Sequence, residues 1–120
     1  MGLDMNLYIE SKDGKECHEH RYWRKHPALH NYLFKTFAPE AEDDNLTSLY
    51  LSKHNIEKII EDIKNDVYGK NSPSGFFWGH SLLVGDEGYK EQKAKDLEAF
   101  EYVHQLVKKE NSKVYYEAWY

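Results

Sequence analysis

The densest run of chemistry-bearing side chains in this sequence is His18-Glu19-His20-Arg21-Tyr22-Trp23-Arg24-Lys25-His26-Pro27. Arg and Lys are the side chains that hold phosphate or carboxylate, Arg through a planar fork of N–H donors. Tyr22 and Trp23 add flat faces on which a base or another planar group can stack. Pro27 reads as the first residue of a helix, because its ring presets φ and its missing N–H is not needed in the first turn. Arg24, Lys25 and His26 then bring positive charge to the positive end of the helix dipole, which is unfavourable by roughly 0.3–1 kcal/mol per charge. Two remedies suit the sequence. The acidic run Glu40, Glu42, Asp43 and Asp44 folds over the cations, or the helix start receives an anion such as phosphate or carboxylate. The competing assignment makes Trp23 a core anchor and the cations an ordinary solvated edge.

Other chemistry is thinner. His26 and His30 are four apart, the separation that places two ligands on one helical face, and His20 lies nearby. The zinc-protease motif needs Glu directly after its first His, where this chain has Pro27, so His20, His26 and His30 are weak metal candidates and ordinary histidines are the competing assignment. Ser72, Ser74 and Ser81 lie near His80 without a nucleophile elbow. Ser72-Pro73-Ser74-Gly75 lacks the ending of a phosphate-binding loop and reads as a turn before Phe76. Asp4 is the acid in an otherwise apolar strand, hence either a hydrogen-bonded structural group or part of a site. No carboxylate pair is marked out for acid–base work and no cofactor motif is present, so the reading leans away from an enzyme and expects no cofactor.

The elements that must position these groups follow from periodicity. Leu3, Met5, Leu7 and Ile9 alternate with Asp4, Asn6 and Tyr8, which predicts a strand with Asp4, Asn6 and Tyr8 looking away from the core. Ser11-Lys12-Asp13-Gly14 is hairpin chemistry, and a second, polar strand follows over about 16 to 22. Leu29, Leu33, Phe34 and Phe37 give a helix from Pro27 its core stripe. Residues 48 to 51 predict a short strand. Ser52 then caps a helix with Ile56, Ile59, Ile60, Ile63 and Val67 on one face, closed by Gly69. Phe76-Phe77-Trp78 reads as a strand. A helix over about 90 to 109 carries Leu97, Phe100, Val103 or His104, and Val107, and Asn111-Ser112 breaks it. Residues 114 to 120 form a terminal strand, with Tyr115, Glu117 and Trp119 on one face and Tyr116, Ala118 and Tyr120 on the other. At a sheet edge that strand would offer itself for pairing into a homodimer. The order predicts one α+β domain over 1–120, an antiparallel or mixed sheet of about four strands with three helices packed mainly on one face.

Composition bounds the function. At 120 residues the chain has room for one core. The net charge of −5 argues against binding long nucleic acid, which runs on clustered Lys and Arg. The apolar clusters fall far short of the ~20 residues that cross a bilayer, and the first residues lack the pattern of a signal peptide. One cysteine, Cys17, excludes an internal disulfide, and a reducing cytoplasm is the expected compartment. Aromatic residues are 15 % of the chain, more than a small core readily hides, which points to aromatic surface at a groove or interface.

Met1-Gly2-Leu3-Asp4-Met5, the Tyr22-Trp23-Arg24-Lys25 block followed by His30, the Ser74-Gly75-Phe76-Phe77 turn and the Tyr-rich ending occur in an order that resembles a group of small uncharacterised proteins encoded by bacteriophages and prophages. The resemblance implies a phage-type accessory protein acting inside an infected cell. Two expectations result. The first is a non-enzymatic binder of a small anionic, nucleotide-like ligand, sequestering a defence signal. Arg21, Arg24 and Lys25 would hold phosphate, Tyr22 and Trp23 would stack, and Ser74, Gly75 and Phe76 would close a pocket shared with Asp4, His30 and Trp119. The second is a protein-interaction module that binds a host protein through its aromatic surface, as a homodimer. A metal-dependent hydrolase using His20, His26 and His30 is a weaker third.

Overall fold

The computed structural model describes residues 4–24, 26–40, 48–67 and 87–119. Strand β1 (Asp4–Glu10) pairs antiparallel with β2 (Cys17–Arg24) on one side and with β4 (Lys113–Trp119) on the other, and β4 pairs antiparallel with β3 (Leu49–Leu51). Helices α1 (Pro27–Phe37), α2 (Lys53–Lys64) and α3 (Tyr89–Glu110) complete the described elements. The α+β expectation holds, and the sheet is antiparallel throughout, in the order β2-β1-β4-β3. The terminal strand β4 is therefore interior, and the sheet-edge placement that would expose it for strand pairing is not what forms. Its Val114, Tyr116 and Ala118 are fully buried, and an apolar row of that kind is stabilised by a neighbour on each side.

Period-two alternation makes one sheet face the core. Met5, Leu7 and Ile9 lie opposite Ala118, Tyr116 and Val114, and Leu49 and Leu51 extend the same rows from β3. Against them pack Leu29, Leu33 and Phe34 of α1, Ile56, Ile59 and Ile63 of α2, and Phe100 and Val103 of α3, all in one buried cluster. Each such side chain contributes about 1.5–3 kcal/mol on burial. The helices thus share one side of the sheet.

Local chemistry sets the boundaries. The turn between β1 and β2 closes with Ser11 N–H donating to the Glu16 carbonyl at 2.8 Å, and Gly14 takes φ +74°, a conformation natural to glycine. Asp13 in that turn is held below the usual carboxylate range by the hydroxyl of Ser11 and the N–H of Lys15. Ser52 and Asn55 form a reciprocal capping box at α2, each bond 3.1 Å. That helix ends at Lys64, so Val67 of the predicted stripe lies beyond it and is exposed. Asn111 stops α3 in the left-handed region at φ +56°. The predicted strand 76–78, Gly69 and acidic residues 42–44 lie outside the described residues.

Two phenols tie the helices together. Tyr32 of α1 donates to Asp62 of α2 at 2.5 Å, and Tyr89, the first residue of α3, donates to Asp66 at 2.7 Å. Burial, reinforced by those carboxylates, pushes both hydroxyls well above the ordinary phenol range. The neutral phenol makes the native bond, so this stabilisation is complete below pH about 10, the unfolded value, and is lost as pH rises through the folded one. In an alkaline absorbance titration Tyr32 and Tyr89 should ionise only as the chain unfolds, and Tyr32→Phe should remove one of these late phenolates.

Candidate functional site

Strand alternation divides the cationic aromatic segment between the two faces of the sheet. Trp23 pairs with Met5 on the helix side, is 8 % exposed, and stacks on Phe100 with ring centroids 5.9 Å apart. Its Nε1–H donates to Asp96 Oδ1 at 2.8 Å, and Asp96 Oδ2 lies 2.8 Å from His26 Nε2. All three side chains are buried, Asp96 at 1 % and His26 at 3 % exposure. His26 is the N-cap residue of α1, and no acid stands in that helix's first turn. The carboxylate that meets His26 at the start of α1 is therefore the protein's own, delivered from α3. Neither remedy read from the sequence names it.

The other expected ligands on this side have partners of their own kind. A register shift between Leu7 and Tyr8 leaves His20 as the extra residue of a β-bulge, and its ring stacks on Tyr102 of α3 at 4.4 Å. Arg21 lies opposite Leu7 with its guanidinium 6.0 Å from the Trp23 ring centroid, and its Nε is buried with no hydrogen-bond partner among the described residues. His30 is fully buried and its Nδ1 shares a 2.7 Å hydrogen bond with the Tyr116 hydroxyl, tying α1 to β4. His20, His26 and His30 thus engage Tyr102, Asp96 and Tyr116 separately, and no cluster able to hold a metal occurs among the described residues.

The opposite face carries no described helix and is built in rows across the sheet. Asp4 lies opposite Trp119 on β4 and the register position of Arg24 on β2. In the next row Asn6 stands between Tyr22 and Glu117; in the third, Tyr8 stands between Glu19 and Tyr115, with Tyr50 beyond on β3. The fourth row is Cys17, Glu10 and Lys113. Tyr22 donates its hydroxyl to Asp4, and Ser48 donates to Glu117 at 2.8 Å. Asn6 is 1 % exposed; it accepts from the Tyr8 hydroxyl at 3.1 Å and donates to Glu19 Oε2 at 3.2 Å. Tyr50 and Tyr115 are in ring contact at 5.6 Å, while Tyr22 and Tyr50 remain 48 % and 51 % exposed.

Asp4, Tyr22 and Trp119 are therefore brought to one face, with the Arg24 position in the same row. Arg21, Trp23 and His30 are on the other side. Lys25, Ser74, Gly75, Phe76 and the side chain of Arg24 lie outside the described residues. Sequence reasoning missed Asp96, Glu19 and the Tyr8–Tyr115–Tyr50 row. A signal for Asp96 existed: it precedes Phe100 by four residues, so an acid occupies the apolar stripe of α3. Elsewhere, α2 and α3 border a shallow concavity of about 270 Å³ lined by Glu57, Ile60, Glu101, His104 and Gln105. There a hydrogen bond from His104 at 3.2 Å holds Glu57 below the usual carboxylate range.

Removing Asp96 tests the buried network directly. Asp96→Ala strands the Trp23 N–H and the His26 imidazole in the core, and unfolding in urea should show a loss of about 3–5 kcal/mol. The exposed Glu101→Ala on the same helix should stay within about 0.5 kcal/mol.

No helix among the described residues is long and apolar enough to cross a membrane. Neither a protein-family model nor a curated protein nor a solved structure matches this chain.

Proposed function

We propose that this chain is a protein-interaction module that docks a partner protein on the face of its sheet opposite the described helices. The observation that supports this reading is the row structure of that face. Tyr8, Tyr22, Tyr50, Tyr115 and Trp119 come from all four strands, while the helices cover the other side. Tyr and Trp are enriched at interface cores because a rigid ring supplies large contact area at small entropic cost. Charge argues against a second copy as the occupant. Two such faces would bring Asp4, Glu10, Glu19 and Glu117 of each copy together with only Lys113 and the Arg24 position to offset them, so like charge predominates across the contact. It argues equally against a small anion on this face, and Arg21 and Trp23, which would have held one, belong to the helix side. The resemblance to phage-encoded proteins makes a protein of the host bacterium the natural partner.

The test uses host lysate over immobilised wild type, Tyr50→Ala and Glu101→Ala, the last an exposed residue of α3. A protein retained by wild type and Glu101→Ala but at least tenfold depleted on Tyr50→Ala is expected. Once purified, it should protect the amides of β3 and β4 from hydrogen exchange. Equal retention on all three, or none on any, overturns the proposal.

A further inference from the structure

We propose that what this face recognises in its partner is arginine, seated over the Tyr8–Tyr115–Tyr50 row between Glu19 and Glu117; the inference rests on the docking reading above. The basic residues in the four rows stand at the two ends, and each lies opposite an acid: Lys113 faces Glu10, and the Arg24 position faces Asp4. The two middle rows have no such balance. Glu19 lies opposite Tyr8, and Glu117 lies between Asn6 and the Ser48 hydroxyl, so two carboxylates stand beside aromatic rings with no basic cross-strand neighbour.

The geometry suits a guanidinium better than a point charge. Tyr8, Tyr115 and Tyr50 are successive cross-strand partners, and the last two rings lie 5.6 Å apart. With strands about 4.8 Å apart, the row from Glu19 to Tyr50 runs roughly 14 Å. That accommodates two same-side residues of an extended peptide, which repeat about every 7 Å. A planar guanidinium stacks on a tyrosine ring while its edge presents paired N–H donors to a carboxylate at the side of the ring. The hydroxyls reinforce the acids' orientation: Asn6 holds both the Tyr8 hydroxyl and Glu19, and Ser48 holds Glu117.

The experiment is an amide NMR titration of the full chain with three capped pentapeptides. They are Gly-Arg-Gly-Arg-Gly, the same peptide with citrulline for arginine, and the same with lysine. The arginine peptide should shift the amides of Tyr8, Glu19, Tyr50, Tyr115 and Glu117. Its affinity should exceed that of the neutral citrulline peptide by at least roughly tenfold, the scale of one charge-assisted hydrogen bond, and should also exceed that of lysine. Glu19→Gln with Glu117→Gln should bring arginine down to the citrulline level, the variant's own spectrum showing that it folds. Equal shifts from arginine and citrulline overturn the arginine assignment while leaving the face a docking surface. Equal binding of lysine shows charge without guanidinium recognition and also overturns it. So do shifts confined to other residues, or none.

Discussion

The buried carboxylate of Asp96 is shared between two elements that the chain must hold together. Taking a carboxylate out of water costs several kcal/mol unless its oxygens find donors. Here one oxygen accepts from the indole of β2 and the other meets the imidazole at the start of α1. The bond to Trp23 fixes which side of β2 is inside; the contact with His26 fixes where the chain leaves the sheet and turns into α1. With no acid in the first turn of α1, the same carboxylate also places negative charge near the positive end of that helix. One side chain thereby secures the sheet edge, a helix start and the packing of α3 over both.

That constraint decides what the opposite face can be. Because Trp23 must point towards α3, Tyr22 must point away from it, and Arg24 takes the position in register with Asp4. The bulge between Leu7 and Tyr8 then matters. Without the extra residue at His20 the alternation would turn Glu19 towards the helices; with it, Glu19 returns to the outer face beside Tyr8. His20 is taken up on the helix side by Tyr102. The polar first half of β2 and its aromatic second half are thus brought onto one outer surface by a single inserted residue.

How much of this was legible depended on the range of the interaction. The strand at β1, the Asp-Gly turn, the Pro27 helix start, the Ser52 cap and the stop at Asn111 are written in neighbouring residues, so sequence reasoning finds them. The alternation of Tyr115, Glu117 and Trp119 was equally readable, because period two is a local property. What was not readable joins distant positions. Whether β4 lies at an edge or inside depends on which strands pair, and Trp23, His26 and Asp96 meet only through tertiary packing. The helix start at Pro27 was expected to meet either the acidic run of residues 40 to 44 or an anion; among the described residues the carboxylate that meets His26 comes from seventy residues further on.

The same residue type therefore does opposite work on the two sides of the sheet. Asp96 inside is matched donor for acceptor, which leaves it nothing to offer a partner. Glu19 and Glu117 outside are oriented by a tyrosine-linked amide and a hydroxyl, and neither has a basic cross-strand neighbour among the described residues. Orientation without neutralisation is the condition under which a surface carboxylate retains free energy for an incoming cation, since its geometry is set and its charge is still exposed to solvent. The chain's net charge of −5 adds a long-range field of the same sign, which favours the approach of a basic partner and disfavours both self-association and polyanions. The aromatic-basic segment of the sequence is thus divided: Tyr22 belongs to the acidic, tyrosine-rich face, while Trp23 and His26 build the scaffold behind it.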